Sequence, residues 1–174
     1  FAKHPSKTKP TNTATLLRES AIQQIISLTN KDDMFISTTG KTSRELYELR
    51  SINNQPPKEF ITVGSMGHAA SISLGVSLFK PEKRIICLDG DGAFLMHMGS
   101  AATIGNLAPS NLVHIILNNG CHESVGGQPT VADKIDFESL SSSLGYQNYY
   151  QASSEDQIKS IWQQISTANK GPVM

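Results

Sequence analysis

Cysteine is scarce in this chain. Cys87 and Cys121 are its only two, too few for a disulfide framework, and that usage fits a reducing compartment such as the cytoplasm. An excess of one charge is missing as well. Fifteen basic residues face fifteen acidic ones, which removes the electrostatic basis for a nucleic-acid or anionic-membrane surface. No apolar run approaches the roughly 18 residues of a membrane span, and the first residues carry no signal-peptide pattern. Internal repeats and low-complexity tracts are absent. What these absences leave is one globular domain, long enough at 174 residues to bury a full core.

The informative stretch is 84–128. Ile85, Ile86, Cys87 and Leu88 form a short apolar run that stops at Asp89-Gly90-Asp91-Gly92. A second run, Leu112 to Leu117, stops at Asn118-Asn119-Gly120. Aliphatic runs of this length closed by Gly and Asn predict buried parallel strands. The Ala-, Leu- and Met-rich segment 93–107 predicts the crossover helix between them, so the stretch reads as a βαβ unit.

Both strands of such a unit end on one edge of the sheet, where ligands of open α/β sheets gather. Asp91 and the Asn118-Asn119 pair are thereby expected at one mouth. A carboxylate beside carboxamide oxygens is a hard-oxygen donor set, suited to magnesium or calcium rather than zinc. Gly90 and Gly92 remove side-chain bulk, so an anion can approach the backbone there. Asp91 would repel a bare phosphate, and a divalent cation between the two resolves that conflict.

Elsewhere the expectations are a helix over 14–30, a strand over 34–37, a short helix over 44–50 and a strand over 60–63. A small-residue helix over 70–78, a helix over 137–144, a strand over 146–151 and an amphipathic helix over 155–168 complete the series. The alternation predicts an open, mainly parallel sheet of about six strands with helices on both faces. Residues 1–12, polar with Lys and Pro, read as a linker, and 13–174 as the domain. The chain starts without Met and stops where a last strand would begin, so both ends read as cuts in a longer polypeptide.

Gly40-Lys41-Thr42 tempts a P-loop reading, but that motif needs a glycine where Phe35 stands. The hydroxyl-rich turn at Thr38-Thr39 can still bind phosphate oxygens through Thr39, Thr42 and backbone N–H groups. Thr42 or Ser43 could equally cap the following helix. Loop 120–128, with three glycines and polar, reactive residue types, is the candidate mobile flap.

Gly90-Asp91-Gly92, 25 intervening residues and Asn118-Asn119 resemble the cofactor motif of thiamine diphosphate enzymes. With TTGKTS, GSMGHA and NNGCHESVGGQPT, the whole chain resembles the diphosphate-binding domain of the phosphonopyruvate decarboxylase family, sulfopyruvate decarboxylases being nearest to that group. The resemblance implies thiamine diphosphate and Mg²⁺ as cofactors, with Asp91, Asn119 and the Cys121 carbonyl as metal ligands. It implies cofactor contacts by Thr39, Gly40, Thr42, Gly64, Ser65, Met66, Gly90, Gly92, Ala93 and Ser124. Met66 would be the wedge that holds the cofactor bent, although a core methionine is the plain alternative. Asn118 would orient the loop.

The implied reaction is decarboxylation of a small 2-oxo acid, 3-phosphonopyruvate to phosphonoacetaldehyde and CO2. Lys41 and Arg44 are candidate substrate-binding cations, or else solvated helix-start charges. His122 is the preferred acid–base group. His68 is a second catalytic candidate unless it merely donates to a backbone carbonyl. His97 and His114 read as structural, and Asp89 as a buried hydrogen-bonding group. The family's activating glutamate belongs to a separate pyrimidine-binding domain, usually on a partner subunit. A homo-oligomer is therefore expected, and an isolated domain that is inactive. Two readings compete. A dinucleotide-binding oxidoreductase domain wants G-x-G-x-x-G, and the glycines after Leu88 match only its first two positions. A non-catalytic diphosphate-binding module is the other.

Overall fold

The computed structural model describes residues 16–168 and 170–174. The expected linker, 1–12, lies outside the described residues. The chain order is α1 (Arg18–Leu28), β1 (Met34–Ser37), α2 (Lys41–Ile52), β2 (Glu59–Ile61), α3 (Ala69–Phe79) and β3 (Ile85–Gly90). Then follow α4 (Asp91–Met96), α5 (Gly99–Leu107), β4 (Leu112–Leu117), β5 (Cys121–His122), β6 (Gln128–Pro129), α6 (Phe137–Leu144) and α7 (Glu155–Ala168). No helix among the described residues is long and apolar enough to cross a membrane.

The main sheet is parallel with strand order β2-β1-β3-β4. Alternate residues of each strand feed opposite cores, as the pleat dictates. Ile36, Ile85, Cys87 and Leu112 pack with Leu74 of α3 and Ala101 and Ile104 of α5. Phe35, Ile86, Leu88 and Val113 pack on the other face with Ile22 and Ile25 of α1, Leu46 and Leu49 of α2, and Trp162 of α7. Helices thus cover both faces, and the inner strands β1 and β3 are mostly apolar because neither side meets water, whereas Phe60 of the edge strand β2 is exposed.

Four strands stand where about six were expected. The fifth and sixth places are held by single parallel bridges, Val113 to Val173 and Asn148 to Val173. Pro172 has no N–H to donate, and the expected strand 146–151 (Tyr-Gln-Asn-Tyr-Tyr-Gln) is joined to 172–174 by three backbone bonds, Gln147 N–H to the Pro172 carbonyl at 2.9 Å, Met174 N–H to the Asn148 carbonyl at 3.0 Å and Tyr150 N–H to the Met174 carbonyl at 3.0 Å. Several boundaries also differ from expectation: the helix expected over 14–30 is Arg18–Leu28, and the strand expected over 60–63 is Glu59–Ile61. The crossover is two helices, because His97 leaves helical geometry (φ −134°, ψ 39°) between α4 and α5. α2 begins at Lys41 rather than Arg44. Its cap is Gly40, whose φ of +101° turns the chain directly from strand end into helix, and not Thr42 or Ser43.

Candidate functional site

Three segments meet at the carboxyl edge of the sheet. The first is the turn after β1. The Thr38 N–H donates to the Leu88 carbonyl at 2.8 Å, and the Thr39 hydroxyl donates to the Val63 carbonyl at 2.9 Å. Ser43 does not cap α2. Its hydroxyl donates to the Thr38 carbonyl at 2.6 Å, bolting the helix start to the strand end. The second segment is the junction of β3 and α4 at Gly90-Asp91-Gly92, where Asp91 is only 2% exposed. The third follows β4. Asn118 Oδ1 accepts from the Gly120 N–H and Asn119 Oδ1 from the Cys121 N–H, both at 3.1 Å. These two side-chain turns swing the chain into the β5–β6 hairpin.

The segments enclose a cavity of about 60 Å³. Thr38, Thr39, Lys41 and Thr42 line one side. Met66 and the Gly90-Asp91-Gly92-Ala93 run line another, and Asn119, Cys121, His122, Glu123 and Ser124 close it from the hairpin. Asp91 and Asn119 therefore share one cavity, as their spacing predicts. Gly40 is also packed into this region, since a Cβ there would lie 3.1 Å from the Ser124 hydroxyl. Gly92 lines the cavity and also makes room for His122, since a Cβ on it would lie 2.4 Å from His122 Nδ1, while Gly90 faces open space.

Other expected residues lie outside the cavity lining. Gly64 and Ser65 are exposed, Ser65 in a left-handed conformation (φ +55°). Arg44 is exposed on α2, and Asn118 acts on the loop backbone. His68 is exposed, its Nδ1 is 3.1 Å from the Ser65 carbonyl, and its ring packs tilted at 55° against His97 with centroids 4.2 Å apart. His97 itself sits at the helix break and is exposed.

Four residues that the sequence did not single out belong to this region: Arg18, Thr38, Glu123 and Thr130. The Thr130 hydroxyl donates to Asp91 Oδ2 at 2.5 Å, and its N–H returns to the Gly120 carbonyl at 2.9 Å, so the hairpin is tied back to the carboxylate. Glu123 accepts from Lys41 and from Arg18. These two donors, Lys41 foremost, hold its carboxyl below the ordinary carboxylate range. Partial burial, reinforced by the charges of Glu123 and Asp91, raises the Cys121 thiol. The Thr130 and Glu123 side chains sit in the quoted loop motif, but only the fold shows what they touch.

The residues present fit a magnesium ion. Asp91 is a buried carboxylate whose hydrogen-bond partner among the described residues is a neutral hydroxyl, and a buried charge needs a counter-charge. The Asn119 carboxamide and the Cys121 carbonyl would add hard oxygens. A different cluster, Cys87, Asp89 and His114, has ligand atoms within 4.8 Å of one another deeper in the sheet. Its thiol and imidazole do not make a magnesium donor set. It is instead a buried hydrogen-bonded network. His114 Nε2 lies 3.4 Å from Asp89 Oδ2 and Nδ1 lies 2.8 Å from the Tyr146 hydroxyl, while Asp89 Oδ1 accepts the Gly90 N–H at 3.0 Å. Asp89 and His114 thus form a buried hydrogen-bonded pair beneath the Gly90-Asp91-Gly92 turn.

The parallel sheet and the site at its carboxyl edge define a class, and comparison gives it a family. Residues 38–174 match the thiamine pyrophosphate enzyme, C-terminal TPP binding domain, and the chain belongs to that family. Among its relatives, the phosphonopyruvate decarboxylase of Streptomyces viridochromogenes is 38% identical over 157 residues, covering 90% of this chain and 38% of that protein. The sulfopyruvate decarboxylase subunit beta of Methanothermobacter thermautotrophicus is 40% identical over 131 residues, covering 75% of this chain and 68% of that protein. A putative thiamin diphosphate-dependent enzyme from Mycobacterium smegmatis superposes with a TM-score of 0.73 at 18% identity, over 91% of this chain and 30% of that one, and so shares the fold. The chain spans little more than a third of the Streptomyces relative it matches.

Proposed function

We propose that this chain is the diphosphate- and metal-binding domain of a thiamine diphosphate-dependent decarboxylase acting on 3-phosphonopyruvate. The observation that carries the reading is the shared cavity, in which Asp91, Asn119 and Cys121 face the Thr39-Gly40-Lys41-Thr42 turn. Similarity to phosphonopyruvate decarboxylase over 90% of the chain supports the substrate.

In this reading Asp91, the Asn119 side-chain oxygen and the Cys121 carbonyl hold Mg²⁺, which neutralises the diphosphate against Asp91. The first N–H groups of α2, with Thr39, Thr42 and Ser124, bind the remaining phosphate oxygens. Met66, which lines the cavity from the Gly64-Ser65-Met66-Gly67 loop, would pack against the cofactor. When bound, the thiazolium ring supplies an electron sink for the pair released with CO2. The protein's chemical task is then proton management, because the carbon that loses CO2 must gain a proton to leave as the aldehyde. His122 lines the cavity against Gly92 and is the group suited to deliver it. A pyrimidine-binding domain, on the same longer chain or on a partner subunit, supplies the activating glutamate. The name of the archaeal relative, a beta subunit, supports the second arrangement.

Sulfopyruvate is the second reading, favoured by that same relative. The test is an assay of the full-length protein, with its partner domain, Mg²⁺ and thiamine diphosphate, against both acids. Formation of phosphonoacetaldehyde and CO2 is expected. Turnover of sulfopyruvate alone would move the assignment to the second reading, and turnover of neither would overturn both.

A further inference from the structure

We propose that Glu123 is a built-in counter-ion that latches the hairpin over the diphosphate cavity by capturing Arg18 and Lys41, and that an incoming diphosphate displaces it and takes over both cations. The inference rests on the proposed function, since it assumes that this cavity receives a diphosphate.

The Glu123 carboxylate accepts from three elements at once: Arg18 Nη1 of α1 at 2.6 Å, Lys41 Nζ of α2 at 2.5 Å, and Asn119 Nδ2 of the loop at 3.3 Å. Its carboxylate oxygens therefore occupy the acceptor positions, opposite these donors, that an anionic ligand would seek in this cavity. The cleft beside it is open to solvent, and Glu123 is the member whose removal both widens it and frees its cations.

The geometry suits an exchange. Arg18 is anchored on its far side, with Nη2 and Nε donating to the two Glu45 oxygens at 2.6 and 2.7 Å. It stays aimed at the cavity when Glu123 leaves. In the latched state two cations face two carboxylates, Glu45 and Glu123; release of Glu123 leaves one positive charge unmatched for a phosphate. The Lys41 and Glu123 side chains are 44% and 39% exposed, so their ion pair is screened by water. A diphosphate offers more charge and more acceptor oxygens to the same donors. Arg18 lies ahead of the span matched to the family, residues 38–174.

The test is calorimetric titration of Mg²⁺–thiamine diphosphate into the full-length protein with its partner domain and into its Glu123→Gln and Arg18→Met variants, with amide exchange of the hairpin measured before ligand. Glu123→Gln keeps the shape, removes the competing charge, and should bind roughly threefold or more tighter while 121–130 exchange faster. Arg18→Met should bind roughly tenfold weaker. Unchanged or weaker binding by Glu123→Gln, or unchanged binding by Arg18→Met, overturns the latch while the cofactor site stands. Unaltered exchange of 121–130 in Glu123→Gln also overturns it. Absence of binding by the parent protein, with its partner domain present, overturns the latch together with the functional reading beneath it.

Discussion

The Thr130 hydroxyl donates to Asp91 Oδ2 at 2.5 Å across a sequence separation of 39 residues, so the far end of the hairpin holds the carboxylate proposed to bind magnesium. The bond does two things. It satisfies one oxygen of a buried charge, and it fixes the carboxylate direction that a rigid octahedral ion requires.

Thr130→Val is therefore expected to weaken Mg²⁺ binding by about three- to tenfold, the effect of losing about 1 kcal/mol of hydrogen bond. Thr130→Ser should restore it. Calorimetry checks both; equal affinity in the valine variant would show that Asp91 needs no such support.

Gly105 makes a strong packing prediction. A Cβ there would sit 1.7 Å from the Leu144 carbonyl oxygen, because α5 and the end of α6 touch backbone to backbone. Gly105→Ala should destabilise by about 1–3 kcal/mol or more, since the obstacle is backbone and cannot rotate away. Gly99→Ala, with open space around it, should be neutral or stabilising by about 0.5 kcal/mol. Denaturant unfolding of the pair checks the contrast; equal midpoints would contradict the close approach.

The two cysteines should differ in reactivity. Burial, and secondarily the Asp89 charge, pushes the Cys87 thiol well up, whereas Cys121 is only half-buried and less shifted. A thiol-reactive chromophore should modify no more than one group in the native chain and both in denaturant. Rapid native modification of both would contradict the buried strand β3.

The pH dependence of stability has a local handle at α6. Asp136 caps that helix, accepting from the Ser139 hydroxyl at 2.7 Å and the Ser139 N–H at 3.1 Å, and these bonds hold its carboxyl below the ordinary value. A depressed folded pKa means that the contribution is present above the unfolded value near 3.8 and is lost as pH falls through the folded one. Asp136→Ala should lower Tm at pH 7, and the difference should shrink at more acidic pH. A Tm difference that is constant down to acid would remove the cap from the stability account.

Much of this architecture was legible in the residues. β1 and β4 are dense apolar runs with polar stops, α6 is framed by Asp136 and the left-handed Gly145, and α7 carries its apolar stripe on Ile158, Trp162 and Ile165. The metal-site candidates were legible because βαβ geometry sends Asp91 and Asn119 to one edge. What stayed hidden depends on distant partners. The outer sheet places are bridges made by Val173 and Asn148, whose local pattern resembles a strand in one case and a chain end in the other. Arg18 meets Glu123 across 105 residues, and nothing in α1 announces it. Gly92 faces a histidine that only the folded hairpin brings there.

The central claim is that the Asp91 cavity binds thiamine diphosphate through magnesium. Calorimetric titration of thiamine diphosphate into the chain, with Mg²⁺ and with chelator, and into Asp91→Ala, tests it most directly. The account predicts Mg²⁺-dependent binding that Asp91→Ala abolishes without loss of fold. Binding that persists in chelator, or at equal strength in the folded alanine variant, would contradict it.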